Sequence, residues 1–192
     1  MTTDHPMNQS QFNKARSDKF LMVLDIPEAL RAIDTRESRA SNLVDSKSIT
    51  YSVFATQVPD VQVHDTEQKF SGQAFHFTSH HRPEYGNVTV KFTIDNEFKN
   101  YWVVYKWINI LNSNTEGFFD AENLSISETP FETYSTTATL FGLDEFDERK
   151  IQFDFVGVVP VKLGGINYDY RTEEEIETYL EFSFSQMIAK LV

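Results

Sequence analysis

The chain of 192 residues contains no cysteine, which excludes a disulfide framework and metal sites built on thiolates. It contains no apolar run long enough to span a membrane, and its polar N-terminus lacks the apolar segment of a signal peptide. Positive charge is also scarce, since 17 Lys and Arg against 29 Asp and Glu give a net charge of −12. That balance argues against a surface that grips nucleic-acid phosphates.

Motifs typical of enzymes are missing as well. The sequence has no P-loop, dinucleotide fingerprint, nucleophile elbow or HExxH motif. His76, His80 and His81, with Glu84 after them, form the first candidate for a metal site. On a strand, His76 and His80 would share a face but His81 would not. Solvated loop histidines are therefore the preferred interpretation.

Acidic clusters are the second candidate for chemistry. They comprise Asp144, Glu145, Asp147 and Glu148, and then Glu173, Glu174 and Glu175. Paired carboxylates catalyse acid–base reactions only when burial separates their pKa values, and these clusters lie in turn-like segments without an apolar pocket nearby in sequence. We interpret them as solvated loops, and we expect no catalytic residue, no metal and no cofactor.

The stretch from Asn87 to Leu111 carries the clearest pattern. Val88–Ile94 alternates apolar and polar residues, which predicts a strand with one buried face. Asp95 or Asn96 is the expected N-cap of an amphipathic helix over Glu97–Leu111. Its expected packing stripe consists of Phe98, Tyr101, Trp102, Tyr105 and Ile108, widened by Val104 and Leu111. If these residues are buried, Trp102→Ala or Tyr105→Ala should cost about 3–5 kcal/mol.

Strand-like runs dominate the remainder of the chain. They are Lys19–Ile26, Ser48–Ala55, Phe70–Phe77, Phe131–Phe141, Ile151–Val159 (bent after its end by Pro160) and Tyr179–Met187. Val61 and Val63, a polar turn at Asp65–Lys69 and Phe70–Phe77 together predict a β-hairpin. The predicted fold class is mainly β: an antiparallel β-sandwich or open barrel with one flanking α-helix.

The domain organisation is simple. Residues 1–18 are predicted to form a flexible N-terminal arm, and residues 19–192 one β domain. Two polar stretches, at about 35–47 and 112–130, are predicted insertions, because long polar connections are uncommon within a compact domain.

The order of these elements resembles the tail tube proteins of contractile-tailed, myovirus-type bacteriophages. Four segments carry the resemblance: YSVFATQVPDVQVHDTEQKFSGQAFHF at 51–77, VTVKFTIDNEFKNYWVVYKWINIL at 88–111, IQFDFVGVVPVKLGGINYDY at 151–170 and EIETYLEFSFSQM at 175–187. The resemblance in the order of elements extends from about Phe20 to Met187. The two polar insertions are longer than the family minimum, which leaves the contacts of the outer surface open.

The resemblance implies a structural protein of the virion, made in the host cytoplasm and not inserted in a membrane. It implies hexameric rings whose inner sheets join into one β-barrel and which stack into a tube that conducts DNA during ejection. The implied partners are further copies of the chain and the tail sheath, baseplate and tail terminator proteins. An acidic lumen would repel phosphate, so that DNA passes without adhering.

The hairpin is the segment that we expect to contact other subunits. Its predicted contact residues, between rings or between neighbours, are Val61, Val63, Asp65, Glu67, Lys69 and Phe70. The hairpin is long, has polar tips and follows Pro59, which separates it from the preceding strand.

Other functions share this pattern. Tube-initiator and baseplate proteins have the same fold, and the tube protein of type VI secretion is related. A virion-decorating binding module is a competing class, which would not stack. An enzyme is disfavoured because the sequence offers no residues for an active site.

Overall fold

The computed structural model describes residues 14–31, 52–78, 83–111, 130–171 and 174–192. Its strands are β1 (Phe20–Leu24), β2 (Val53–Thr56), β3 (Asp65–Phe70), β4 (Gln73–Thr78), β5 (Val88–Thr93), β6 (Thr136–Leu143), β7 (Arg149–Leu163), β8 (Glu177–Ser183) and β9 (Gln186–Leu191). Helices α1 (Lys99–Leu111) and α2 (Phe131–Tyr134) accompany them, and residues 28–31 are also helical. The predicted fold class, mainly antiparallel β with a flanking helix, is confirmed. The predicted insertions, apart from Pro130, and most of the predicted arm lie outside the described residues.

One long strand, β7, connects two antiparallel sheets. Its first half pairs with β6 and β9, and β6 also pairs with β1; these strands form the first sheet. Its second half pairs with β8, which is followed by β5 and β2; these form the second sheet. The strand order across both sheets is therefore β1-β6-β7-β8-β5-β2, with β9 added on β7.

A bulge at Gly157 lets β7 pass from one sheet to the other. Thr136 pairs with Val158 whereas its neighbour Thr137 pairs with Val156, so β7 holds one extra residue at this point. Gly157 has a φ of +69°, a conformation that favours glycine. The bulge bends the strand and reverses which side chains face the core.

This bulge explains an error in the predicted strand. Sequence alternation placed Val159 inward and ended the strand before Pro160, but Val158 is the buried residue and β7 continues to Leu163. Among the described residues, the second half of β7 is an edge strand of the second sheet. Proline lacks an N–H for strand pairing, and an edge strand tolerates that loss more readily than a central strand.

Two further predicted strands have different bounds in the structure. The predicted strand Tyr179–Met187 is in fact divided between β8 in the second sheet and β9 in the first, with a crossing at residues 184–185. The predicted strand Phe131–Phe141 begins instead as α2. The helix follows Pro130, whose fixed φ suits a helix start. At its end, the Ser135 N–H donates a hydrogen bond to the carbonyl of Phe131 at 2.9 Å.

The core lies between the two sheets and against α1. Its buried members share one cluster, with Met22, Leu24, Ala138, Leu140 and Phe155 from the first sheet, Val88, Val90, Phe92, Leu180 and Phe182 from the second, and Val103, Val104, Trp107 and Ile110 from α1. The predicted alternation of β5 agrees with this arrangement, because its apolar residues face inward while Thr89 and Lys91 do not. Burial of these large side chains is the main source of stability.

Candidate assembly surfaces

The segment from Asp65 to Thr78 forms a β-hairpin that stands apart from both sheets. β3 and β4 pair in register, from Asp65 opposite Thr78 to Phe70 opposite Gln73. Ser71 and Gly72 make the turn at φ values of 51° and 81°. Two successive left-handed residues are typical of a type I′ turn, whose twist matches that of paired strands.

The predicted turn at Asp65–Lys69 is therefore wrong, because these residues belong to β3. Placing the turn there makes the two strands unequal and leaves Ser71-Gly72 inside a strand. A Ser-Gly dipeptide is itself a turn signal, and it could have identified the correct register.

The hairpin has one apolar face and one charged face. Pairing places Phe70, Phe75 and Phe77 on one face, with Thr66, Gln68 and Gln73 as their uncharged neighbours. The opposite face carries Asp65, Glu67, Lys69 and His76. On that charged face, His76 Nδ1 lies 2.7 Å from Asp65 Oδ2. The segregation of charge leaves the phenylalanine face fit for an apolar partner.

Nothing in the described structure covers that apolar face. Every residue of β3 and β4 is exposed, and the three phenylalanines retain between 45% and 73% of their accessible surface. A two-stranded hairpin alone is marginally stable in water. The hairpin therefore lacks the apolar cover that would fix it.

The predicted contact residues are distributed over this region. Asp65, Glu67 and Lys69 come together on the charged face, while Phe70 lies on the apolar face. Val61 and Val63 lie in the irregular segment that leads to β3, and both are exposed. Phe75 and Phe77 are absent from the predicted set, because the misplaced turn concealed their shared face with Phe70.

Helix α1 begins two residues later than predicted. Phe98 adopts a φ of 56°, which excludes it from the helix. The Asp95 carboxylate caps the first turn instead, since it accepts the N–H of Lys99 at 2.8 Å and that of Asn100 at 3.2 Å. Asp95 is one of the two predicted caps.

The buried face of α1 is not the predicted one. Asn100, Val103, Val104, Trp107 and Ile110 are buried. At 100° per residue this face is centred about 160° from the predicted stripe. Tyr105 retains 49% of its surface and Phe98 is also exposed, whereas Trp102 and Ile108 only partly pack on the core. The helix is apolar on both sides, so spacing alone could not select the inward face.

The residues Phe98, Tyr101, Trp102, Tyr105 and Ile108 therefore form an aromatic stripe at the outer surface of α1. The Lys106 ammonium lies 5.6 Å from the centre of the Trp102 ring, close enough for a cation–π interaction. This stripe and the phenylalanine face of the hairpin are two apolar surfaces that the described part of the chain leaves wholly or partly uncovered.

The second sheet presents a polar outer face and two edges. Lys91 and Lys162 on this face are balanced by Glu177 and Glu181. Asn87 donates to Glu181 at 2.9 Å, and the Lys162 ammonium lies 5.4 Å from the centre of the Tyr179 ring. The edges are β2 and residues 159–163 of β7; among the described residues no further strand pairs with either edge. Unpaired edges are templates for strands of another chain.

The first sheet carries one mostly buried carboxylate on its outer face, Asp154. It accepts hydrogen bonds from Gln152 at 2.6 Å, Lys190 at 3.0 Å and Thr139 at 3.1 Å. The Gln152 bond, with help from Lys190 and Thr139, holds the pKa of Asp154 below its usual value despite partial desolvation. The cluster ties β6, β7 and β9 together.

The residues considered for chemistry are not arranged as a site. His80, His81 and Glu173 lie outside the described residues, and Glu84 is exposed, as are Glu174 and Glu175. In the acidic turn, Lys150 lies 3.2 Å from Asp144 and 2.7 Å from Glu148, and Lys19 lies 2.7 Å from Asp147. These carboxylates close a turn by pairing with lysines.

Metal-site geometry and membrane-spanning helices are both missing from the described ranges. No group of three or more His, Asp or Glu residues in the part of the chain that the structure describes could hold a metal ion. Within the same residues, no helix has the length and apolar character needed to cross a membrane.

Comparison with known proteins agrees with an assembly role. A family model described as phage tail tube protein matches residues 15–190. A chain in the cryo-EM structure of the PVC extracellular contractile injection system, sheath–tube complex in the extended state, is 10% identical, with a TM-score of 0.63 over 98% of this chain and 99% of that chain. No curated protein sequence matches this one.

Two other solved structures share the fold. A chain of the anti-feeding prophage tube-terminating cap is 12% identical, with a TM-score of 0.59 over 95% of each chain. A chain of the anti-feeding prophage baseplate is 9% identical, with a TM-score of 0.59 over 94% of this chain and 97% of that chain. At such low identity these likenesses establish the fold alone.

Proposed function

The chain belongs to the phage tail tube protein family, and from this premise we propose that it assembles as hexameric rings that stack into a DNA-conducting tube of a contractile tail. Membership of this family makes the chain a structural tube protein and not an enzyme. The family match over residues 15–190 is the observation that carries the proposal. The tail sheath, baseplate and tail terminator proteins are its proposed partners, and the virion tail its location.

Ring closure is proposed to use the two edges of the second sheet. β2 of one subunit would pair with residues 159–163 of the next, which joins the sheets into a continuous barrel and leaves neither edge exposed. The two edges differ, so the contact is heterologous and closes only when the rotation between subunits divides a full turn.

The outer face of the second sheet would then line the lumen. Its lysines are balanced by glutamates, and the chain as a whole carries a net charge of −12. Such a wall offers no excess of cations to bind phosphates, so DNA would slide without being held. We therefore propose a nearly neutral lumen wall, in place of the acidic lumen that the net charge and the family resemblance together suggested.

The hairpin is proposed to contact a neighbouring subunit or the next ring. Its charged face, with Asp65, Glu67 and Lys69, and the lead-in residues Val61 and Val63 are exposed and accessible to another chain. Its apolar face, which includes Phe70, is exposed, and no other described residue of the chain covers it.

Electron microscopy of the purified protein over a range of concentrations tests the proposal. Six-fold rings or hollow tubes are expected in negative stain, and cryo-EM of the tubes should place β2 beside residues 159–163 of the adjacent subunit. A lumen lined mainly by Lys and Arg would contradict the proposed inner face, and a protein that stays monomeric at all concentrations would contradict self-assembly.

A tube-initiator or baseplate role is the second candidate. A chain of the anti-feeding prophage baseplate shares the fold, so the fold does not separate this role from that of the main tube subunit. An initiator needs a template, so it should remain monomeric alone and form rings only when baseplate proteins are added. A virion-decorating module should form neither rings nor tubes under either condition.

A further inference from the structure

We propose that the phenylalanine face of the hairpin in one subunit binds the aromatic stripe of α1 in a second copy of the chain. This inference rests on the proposed function, since it assigns one of the contacts that hold the assembly together. It identifies a donor surface, Phe70, Phe75 and Phe77, and an acceptor surface, the aromatic stripe.

The donor surface is suited to an apolar partner. In the paired hairpin, every charged residue of the two strands lies on the face opposite the phenylalanines. The phenylalanine face otherwise carries only Thr66, Gln68 and Gln73. Docking this face therefore buries three rings without desolvating an ionised side chain of the hairpin. Docking on α1 also provides the packing against a helix that a two-stranded hairpin needs for stability.

The acceptor surface has matching chemistry. The stripe contributes aromatic rings from Phe98, Tyr101, Trp102 and Tyr105, followed by the aliphatic side chain of Ile108. Phe98 and Tyr105 are exposed, and the other three are half-buried. Contacts between aromatic rings favour tilted or edge-to-face arrangements and add about 0.5–1.5 kcal/mol per pair beyond their buried area.

The two surfaces also match in dimensions. Along the hairpin, Phe77 and Phe75 are about 6.8 Å apart, and the row of Phe70 lies about 13.6 Å from Phe77. Along the helix, Tyr101 and Tyr105 are separated by a rise of about 6 Å, and the helical part of the stripe, from Tyr101 to Ile108, extends about 10 Å. Phe98 precedes the first helical residue and lengthens the stripe at that end. The rings of one surface can therefore lie between or over those of the other along its whole length.

A second copy is the partner that fits these observations. Every residue of β3 and β4 is exposed, so among the described residues α1 of the same chain does not cover the hairpin. A donor and a different acceptor on the same molecule make a heterologous contact, which repeats from copy to copy and generates closed rings or continuing stacks. Each subunit would give its hairpin to one neighbour and accept a hairpin from another.

Cysteine cross-linking tests the contact directly, because the natural chain has no cysteine. An affinity-tagged Phe75→Cys chain and an untagged Tyr105→Cys chain are mixed, allowed to assemble and oxidised with copper-phenanthroline. We expect a disulfide-linked heterodimer on a non-reducing gel, and Phe77→Cys with Tyr101→Cys provides a second pair. Glu67→Cys, on the charged face at nearly the same height, is the matched control and should give at least about tenfold less product with Tyr105→Cys.

The outcomes separate this contact from the proposed function. Rings or tubes in the micrographs without either cross-link, or with equal product from the Glu67→Cys control, would overturn the contact and leave the tube assignment standing. If Tyr105→Cys in intact tubes stays uncross-linked yet reacts with a maleimide, the contact is overturned, because the stripe then faces outward and is open to another protein. Wild-type protein that forms no assemblies with or without baseplate proteins would overturn both proposals.

Discussion

The two-sheet body and the hairpin use the same residue type in opposite ways. In the body, Phe92, Phe155 and Phe182 are almost wholly buried within one core. In the hairpin, Phe75 and Phe77 are exposed although they alternate with polar residues as regularly as the core strands do. The difference shows that period-two alternation predicts an apolar face but does not say whether the chain itself covers that face.

Helix α1 belongs to both regions at once. One side, with Val104 and Trp107, completes the core, and the other presents the aromatic stripe. If the body is stabilised within the chain and the hairpin and stripe between chains, substitutions should divide into those that change folding and those that change assembly. The expected effects below run from the largest to the smallest.

Trp107→Ala should give the largest loss of folding stability. Trp107 is 1% exposed, and its Nε1 donates to the carbonyl of Tyr134 at 2.8 Å. Removing the ring leaves a cavity and an unpaired carbonyl, so the free energy of unfolding should fall by about 3–5 kcal/mol in urea denaturation of the monomer. Tyr105→Ala on the opposite side is the control and should cost no more than about 0.5 kcal/mol; equal losses would mean that the two faces are not distinct.

Asn100→Ala should weaken the same helix from its polar side. The buried amide donates to the carbonyl of Thr93 at 2.8 Å and to Ser52 Oγ at 3.1 Å, and its oxygen accepts the N–H of Tyr101 at 2.8 Å. Loss of these partners should cost about 1–3 kcal/mol by the same measurement. An unchanged unfolding midpoint would show that water replaces the amide.

The Asp154 cluster predicts a pH dependence confined to the body. Because the folded pKa is lowered, the carboxylate contributes stability above the pKa of the unfolded chain, and that contribution is lost as pH falls through the folded pKa. Wild-type protein should therefore be more stable than Asp154→Asn near neutral pH, and the difference should shrink below about pH 4. Urea denaturation at several pH values measures it, and a pH-independent difference would contradict the assignment.

Phe77→Ala should have the smallest effect on folding. Its ring is exposed, so the unfolding free energy of the monomer should change by no more than about 0.5 kcal/mol. The concentration needed for assembly should rise by roughly tenfold, since a buried aromatic anchor is removed from the contact between copies. A large loss of monomer stability would place the hairpin within the folding unit of the body.

Local patterns predicted much of the body and less of its surfaces. The alternation of Val88, Val90 and Phe92 identified β5 correctly, because the side chains of a strand alternate between its two faces and every second residue here is apolar. The bulge at Gly157 was not predictable from alternation, since one extra residue reverses the phase without changing the composition.

The candidate surfaces were harder to predict for two physical reasons. The helix is apolar on two opposite sides, so Tyr105 and Trp107 both satisfied the spacing rule although only Trp107 faces the core. In the hairpin, a turn assigned to Asp65–Lys69 hid the face that Phe70 shares with Phe75 and Phe77, because a change of register changes which side chains lie together.

The shared strand β7 has a mechanical consequence. Its 15 residues form roughly 45–50 Å of extended backbone that belongs to both sheets. A force that pulls one sheet along this strand is transmitted to the other through covalent bonds and not through a row of hydrogen bonds that could unzip. The two sheets therefore bear tension together along β7. Sliding of one sheet past the other would require the backbone to bend at the Gly157 bulge.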